Sequence, residues 1–211
     1  ITGVAGAWFD STPCLFLSGQ VKRADRAAAG LRQRGMQEAD IVSMVRPITK
    51  YAVTVDNPRE IRWHLEKALH LARTGRPGPV WIDIPLDVQA ATIEPEELPA
   101  FIPPPPIDVP MPVAEVMGRF NASVRPLVLV GNGARGAALA TLLALLDAPV
   151  VATWCAADLV ADAEGFVGCP GNFGPEAANL AVRNCDFLLS IGARLDFSVT
   201  GYAPESFGRG A

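Results

Sequence analysis

Pro126-Leu-Val-Leu-Val-Gly-Asn-Gly-Ala-Arg-Gly136 is the stretch on which the reading of this chain turns. A continuous apolar run, Leu127 to Val130, ends abruptly in glycines, and an Ala/Leu-rich helical pattern follows at once from Ala137 to Leu146. That pattern predicts a buried parallel strand, a tight turn and a helix start. Gly131, Gly133 and Gly136 keep the G-x-G-x-x-G spacing of a dinucleotide-binding turn. Glycine leaves room there, so that a diphosphate can sit against bare backbone N–H groups and the positive end of the helix. The same spacing also serves a turn that packs tightly and binds nothing. The next strand, Pro149 to Thr153, ends in Thr153 and Trp154, and the nearest acid, Asp158, lies further on. A nicotinamide site places an acid at that strand end to hold the ribose hydroxyls. Any nucleotide here is therefore expected to bind in another way.

Working outward, 211 residues suffice for one large or two small domains, and half of them are hydrophobic. The formal net charge of -4 argues mildly against a nucleic-acid surface. Charges and prolines interrupt every apolar run before it could span a bilayer. Ile1 to Ala7 has neither the basic flank nor the apolar core of a signal peptide. Cys14, Cys155, Cys169 and Cys185 show no C-x-x-C spacing, and His64 and His70 lie far from them, so no zinc site is expected. Reduced thiols in a cytoplasmic protein fit this pattern. The chain opens without methionine on a helical pattern and stops after a loop, so both ends read as cut from a longer protein.

Upstream of the central turn, Cys14 to Gln20 reads as a short apolar strand with Gln20 at its carboxyl end, where open parallel sheets bind ligands. A polar residue that merely closes a strand reads the same way. Lys22, Arg23, Arg26, Arg32 and Arg34 make the following segment basic. They could steer an anion, or simply be solvated. Gln37 to Asp40 opens a helix that ends before Pro47. Tyr51 to Val55 alternates like a strand. Asp56 or Asn57 then caps a helix whose apolar face is Ile61, Leu65, Ala68, Leu69 and Ala72. Gly75 suits its C-cap, Pro77 and Pro79 forbid its continuation, and Val80 to Pro85 is the next buried strand. Arg76 sits on that stiff turn, well placed to grip a phosphate or a flat ring. Residues 91–111 are proline-rich and read as a semi-rigid linker. Beyond it come a helix from Val113 to Asn121, the central strand and turn, and the glycine-rich Gly168 to Gly174. A helix from Pro175 to Val182 follows, whose Asn179 or Arg183 could face a ligand, and then a strand from Phe187 to Gly192. Three strand-end loops then converge on one crevice. The fold class expected is α/β, with two parallel-sheet domains, the second Rossmann-like, joined by the proline-rich linker.

Several segments together resemble acetolactate synthase and its thiamine-diphosphate-dependent relatives. They are Ile1 to Gln20, Gln37-Glu-Ala-Asp-Ile41, Arg46-Pro-Ile-Thr-Lys50, Thr74-Gly-Arg-Pro-Gly-Pro-Val-Trp-Ile-Asp-Ile-Pro85, Asp87-Val-Gln89, Val130-Gly-Asn-Gly133 and Ile191-Gly-Ala-Arg-Leu-Asp196. The resemblance implies that residues 1–90 are the later part of a pyrimidine-binding domain. It makes 91–111 the linker, and 112–211 most of a central domain of the kind that holds FAD. It implies a carboligase that decarboxylates a pyruvate-like 2-oxo acid and joins the two-carbon unit to a second carbonyl, working as a homodimer or homotetramer. Thiamine diphosphate and Mg²⁺ would be held largely by parts outside this chain, which alone would be inactive. By resemblance Gln37 lies beside thiamine and substrate, with Gln20, Met36 and Leu86 in the vicinity. Arg76, Gly131, Asn132, Gly133, Gly171, Gly174, Arg194 and Asp196 match flavin-binding segments. The departures are Met36, where the family has Phe, and Leu86, where it has Lys. There is also a longer loop before Gln37, and Arg194-Leu-Asp-Phe-Ser-Val-Thr-Gly201 lacks an acid and a base of the family's flavin loop. A decarboxylase or lyase of the same family, or a non-catalytic nucleotide-binding module, are the other readings.

Overall fold

The computed structural model describes residues 1–36, 38–136 and 138–211. The chain forms two units, Ile1–Ile107 and Asp108–Ala211. In the first unit, helix α1 (Thr2–Phe9) leads to strand β1 (Leu15–Gln20), helix α2 (Ile41–Val45) and strand β2 (Tyr51–Thr54). Helix α3 (Ile61–Arg73), strand β3 (Val80–Pro85) and helix α4 (Leu86–Gln89) follow. The sheet is parallel throughout, in the order β1-β3-β2. Asn57 caps the entry to α3 by accepting from the Arg59 N–H at 3.1 Å, with Pro58 in the first turn. The apolar face of α3 then puts Ala68 and Ala72 onto Val80 and Ile82 of β3. Ile82 is wholly buried, a burial that stabilises the fold by about 2–3 kcal/mol. The helix stops at Thr74, and Gly75 turns the chain away at φ +65°. Lys50 locks that turn, its Nζ donating to the carbonyls of Thr74 (2.5 Å) and Arg76 (2.8 Å).

Two expectations shift here. The helix expected to open at Gln37 to Asp40 begins at Ile41, with Asp40 as its cap accepting from the Ser43 N–H at 3.0 Å. The first part of the expected linker packs on α3. Leu98 is buried, the Phe101 N–H donates to Glu66 Oε2 at 2.7 Å, and the Phe101 ring meets Trp63 edge-on at 5.8 Å. Residues 102–112 are exposed.

The second unit runs α5 (Val113–Ala122), β4 (Pro126–Val130), α6 (Leu139–Leu146), β5 (Val150–Ala152), α7 (Ala157–Val160) and β6 (Phe166–Gly168). It continues with α8 (Glu176–Asn184), β7 (Phe187–Ile191) and α9 (Phe197–Thr200). Its parallel sheet has the order β6-β5-β4-β7. β4 is covered on both faces, as its unbroken apolar run predicts. Val128 and Val130 pack with Phe120, Leu139, Leu146 and Val160 on one side. Leu127 and Leu129 pack with Ala178, Val182 and Cys185 on the other. From β4 the chain steps to β5 and β6, and α8 then carries it back so that β7 pairs on the far side of β4. The strand order therefore reverses between β4 and β7, and the loops leaving their carboxyl ends flank the place where such sheets bind ligands. The short elements α7, β6 and α9 fall in stretches whose sequence shows no periodicity. Among the described residues no helix is long and apolar enough to cross a membrane.

Candidate functional site

Gly131 and Gly133 sit at that switch point, but their room is taken by protein. The Gly131 N–H donates to the Ile191 carbonyl at 2.8 Å and the Gly133 N–H to the Gly192 carbonyl at 2.9 Å. A Cβ on Gly131 would collide with Ala193 Cα and the Gly192 carbonyl. Gly133 and Gly192 meet backbone to backbone in the same way, and Gly192 turns at φ +64°. Gly136 has nothing within 4 Å of an added Cβ. Nor does the turn run straight into a helix. A single helical turn, Asn132–Ala134, intervenes, and α6 begins only at Leu139. Ala137, where the helix was expected to start, lies outside the described residues. The Ala134 and Arg135 N–H groups return to the carbonyls of Gly131 and Asn132. The glycine spacing here thus interlocks two loops, and most of the turn's amides are already satisfied within the fold.

Arg135 clasps the turn from above. Its Nη1 and Nη2 pair with both Asp158 oxygens at 2.9 and 3.0 Å, and its Nε donates to Asn132 Oδ1 at 3.1 Å. This hydrogen-bonded pairing lowers the Asp158 pKa and raises that of Arg135. Asp158 is thus an anchor for the turn. On the β6 side, Gly171 (φ +124°) lies against the Ser198 carbonyl and is itself gripped by Asn179 of α8. The Asn179 side chain accepts from the Gly171 N–H at 2.9 Å and donates to the Gly171 and Gly174 carbonyls at 3.1 and 3.4 Å. Asn179 therefore holds a loop, while Arg183 stays exposed beside a cleft of about 240 Å³ lined also by Asn172, Thr200 and Ser206. That volume is below the roughly 300–1,000 Å³ of drug-sized ligand sites, so the cleft could hold only part of a dinucleotide.

Asp196 caps α9, accepting from the Ser198 and Val199 N–H groups at 3.1 and 3.2 Å and from Arg194 Nη2 at 3.0 Å. The Ser198 hydroxyl, before the other donors, holds its pKa down. Four exposed rings stand on these loops in two pairs. Trp154 lies 6.0 Å from Phe173, and Phe197 is stacked on Tyr202 at 5.5 Å. Exposed flat faces beside arginines suit a ring-bearing, phosphate-bearing ligand. Arg135, Trp154, Phe173 and Phe197 lie inside stretches the sequence had already singled out, and Tyr202 just beyond one, but no spacing marks these residues themselves.

In the first unit, Gln20 and Leu86 lie at the carboxyl ends of β1 and β3. The Gln20 amide donates to the Ala39 carbonyl at 2.8 Å and to Asp83 Oδ2 at 3.3 Å. Leu86 and Met36 are exposed, Met36 at 89%. Gln37 lies outside the described residues. Arg76 is exposed and donates from Nε to Ser11 Oγ at 2.8 Å. In the basic segment, Arg23 pairs with Asp87 at 2.7 Å and Arg26 with Asp56 at 2.5 Å, so two of its five cations are neutralised in place. Among the described residues no three His, Cys, Asp or Glu side chains cluster to hold a metal.

Two parallel α/β units, with Gln20 and Leu86 at the carboxyl ends of the first sheet's strands and the glycine loops at those of the second, define an open parallel-sheet α/β protein. Residues 113–210 match the thiamine pyrophosphate enzyme, central domain. Over 98% of its length the chain is 35% identical to the acetolactate synthase large subunit of Corynebacterium glutamicum, covering 34% of that protein. It is 34% identical to the probable acetolactate synthase large subunit of Methanocaldococcus jannaschii, over 98% of the chain and 37% of that protein. It is also 34% identical to acetolactate synthase isozyme 2 large subunit of Escherichia coli, over 98% and 38%. The chain belongs to the family of thiamine-diphosphate-dependent enzymes that includes acetolactate synthase. It spans about a third of the length of the curated relatives it matches.

Proposed function

We propose that this chain is the middle of a thiamine-diphosphate-dependent carboligase of the acetolactate synthase type, which decarboxylates a pyruvate-like 2-oxo acid and joins the two-carbon unit to a second carbonyl. The observation that carries the reading is the collinear match of 98% of the chain to acetolactate synthase large subunits. In this reading residues 1–90 close a pyrimidine-binding domain, 91–111 join it to the next, and 112–211 form most of a central domain. The bound cofactor would supply the electron sink for decarboxylation, and the protein positioning and electrostatics. This chain's own part is then to orient. Gln20, Met36, Gln37 and Leu86 would border the thiamine and substrate side of the first unit. Within the second unit the Gly171–Gly174 and Arg194–Asp196 loops, beside the packed Gly131–Gly133 turn, would seat FAD, and Arg76 would offer a guanidinium on the first unit. Support for FAD comes from the exposed ring pairs and arginines at the strand ends, which suit a flat ring and a phosphate. Mg²⁺ would be bound by segments beyond these residues. The full protein would be a cytoplasmic homodimer or homotetramer with no nucleic-acid or membrane partner.

The test is an absorption spectrum of the full-length protein after desalting, an FAD titration, and product analysis with pyruvate. A retained flavin band together with acetolactate formation is the expected result. Acetaldehyde without acetolactate would replace the carboligase with a decarboxylase. No thiamine-dependent turnover on a panel of 2-oxo acids would overturn the reading.

A further inference from the structure

Asp83 lies in the middle of β3, in the otherwise apolar run Val80-Trp-Ile-Asp-Ile-Pro85, and is 1% exposed. A buried carboxylate is costly unless donors surround it. The sheet register supplies them: Ser18 of β1 and Thr54 of β2 both lie opposite Asp83. Ser18 Oγ donates to Oδ1 at 2.5 Å and Thr54 Oγ1 to Oδ2 at 3.3 Å. Trp81 Nε1 donates to Ser18 Oγ at 2.8 Å, which leaves the serine's own proton for Asp83.

Gln20 connects this network to the sheet's edge. Its Nε2 faces two acceptors, Asp83 Oδ2 and the Ala39 carbonyl, while its Oε1 accepts from the Val21 N–H at 3.0 Å. Reversing the amide would set an oxygen against both acceptors, so the orientation is fixed. The carboxyl group buried in the sheet is thereby bridged to the backbone at Ala39, just before the Asp40 cap of α2. That backbone continues the segment bearing Met36 and Gln37.

We propose that Asp83 is a positioning residue. Through the Gln20 amide it fixes the chain at Ala39, and so sets how the backbone of Glu38 to Asp40 is presented to the 2-oxo acid. The substrate part of this inference rests on the function proposed above; the link from Asp83 to Ala39 does not.

Asp83→Asn, Gln20→Met and Thr54→Val in the full-length protein separate positioning from stability. Thr54→Val removes a donor from the same carboxylate oxygen but leaves the Gln20–Ala39 bridge intact. Asp83→Asn and Gln20→Met are expected to raise deuterium uptake across residues 38–45. They should also raise KM for pyruvate by about tenfold, with kcat changed much less. Thr54→Val should lower the melting temperature with uptake at 38–45 and KM unchanged. The inference is overturned if Asp83→Asn lowers the melting temperature alone, or if Thr54→Val loosens residues 38–45 as much as Asp83→Asn does. Uptake that changes as expected in a full-length protein that neither binds thiamine diphosphate nor consumes pyruvate would sustain the Asp83–Ala39 link and overturn the function.

Discussion

One added methyl group distinguishes the glycines of the central turn. At Gly131 it would meet the backbone of Gly192 and Ala193, which cannot swing aside as a side chain can; at Gly136 it would meet nothing. Gly131→Ala is therefore expected to destabilise the second unit by about 2–3 kcal/mol. Gly136→Ala should stay within about 0.5 kcal/mol of the parent. Urea titrations of the two variants against the parent would check both values, and equal losses would contradict the interlock. The sequence made all three glycines visible, but spacing alone cannot say whether their room is taken by a ligand or by a neighbouring loop. That depends on β7, sixty residues away in the chain. Asp83 was passed over when Val80-Trp-Ile-Asp-Ile-Pro85 was read as a buried strand, although an acid inside such a run needs partners. Those partners, Ser18, Gln20 and Thr54, become visible only once strand order and register are known.

At the scale of elements, two side chains organise loops that have little regular structure. Asn179 holds Gly171 and Gly174 from α8. Asn179→Ala would leave the Gly171 N–H without that acceptor and is expected to cost about 1–3 kcal/mol. The accompanying rise in deuterium uptake should be confined to residues 169–174. Glu38 gathers the N–H groups of Ala27 (2.6 Å), Arg34 (2.8 Å) and Gly35 (2.9 Å). These bonds, that from Ala27 first, hold its pKa below the ordinary glutamate value. Because the folded pKa is the depressed one, the contribution is complete above the unfolded pKa and is lost as the pH falls through the folded value. The amide resonances of Ala27, Arg34 and Gly35 should therefore titrate together, with a midpoint below that of a free glutamate. In Glu38→Gln they should not titrate. Long strands and the capped α3 could be read from sequence because periodicity and caps are local. The organisation of the 21–36 loop could not, since it hangs on one carboxylate and carries no repeating pattern.

For the molecule as a whole, the match to about a third of each relative and the two separate apolar cores point to different expectations. Each unit buries its own core, so the 211-residue chain should give a cooperative melt on its own. It should not consume pyruvate by itself, and measurable turnover by this piece would contradict the proposal that thiamine diphosphate and Mg²⁺ are held largely by other segments. If the second unit seats FAD, the flavin at a hundred times its Kd should stabilise that unit by about 2.7 kcal/mol. A calorimetric scan with and without flavin would show this as an upward shift of the transition. The fold class was legible across the chain because the central strands are apolar runs, broken only by Asp83 in β3, that end at Pro85, Gly131 or Thr153. The loop contacts that shape the candidate sites were not, because they join residues far apart in sequence.

The interlocked loops also limit how this protein can change over time. Where a side chain blocks a substitution, a second mutation that trims the blocker can restore the fit. At Gly131, Gly133 and Gly192 the blocking atoms are main chain, which no substitution removes. These positions should therefore show almost no compensatory epistasis. In a library that randomises all three together, folded clones should keep glycine at each, whereas position 136 should drift freely.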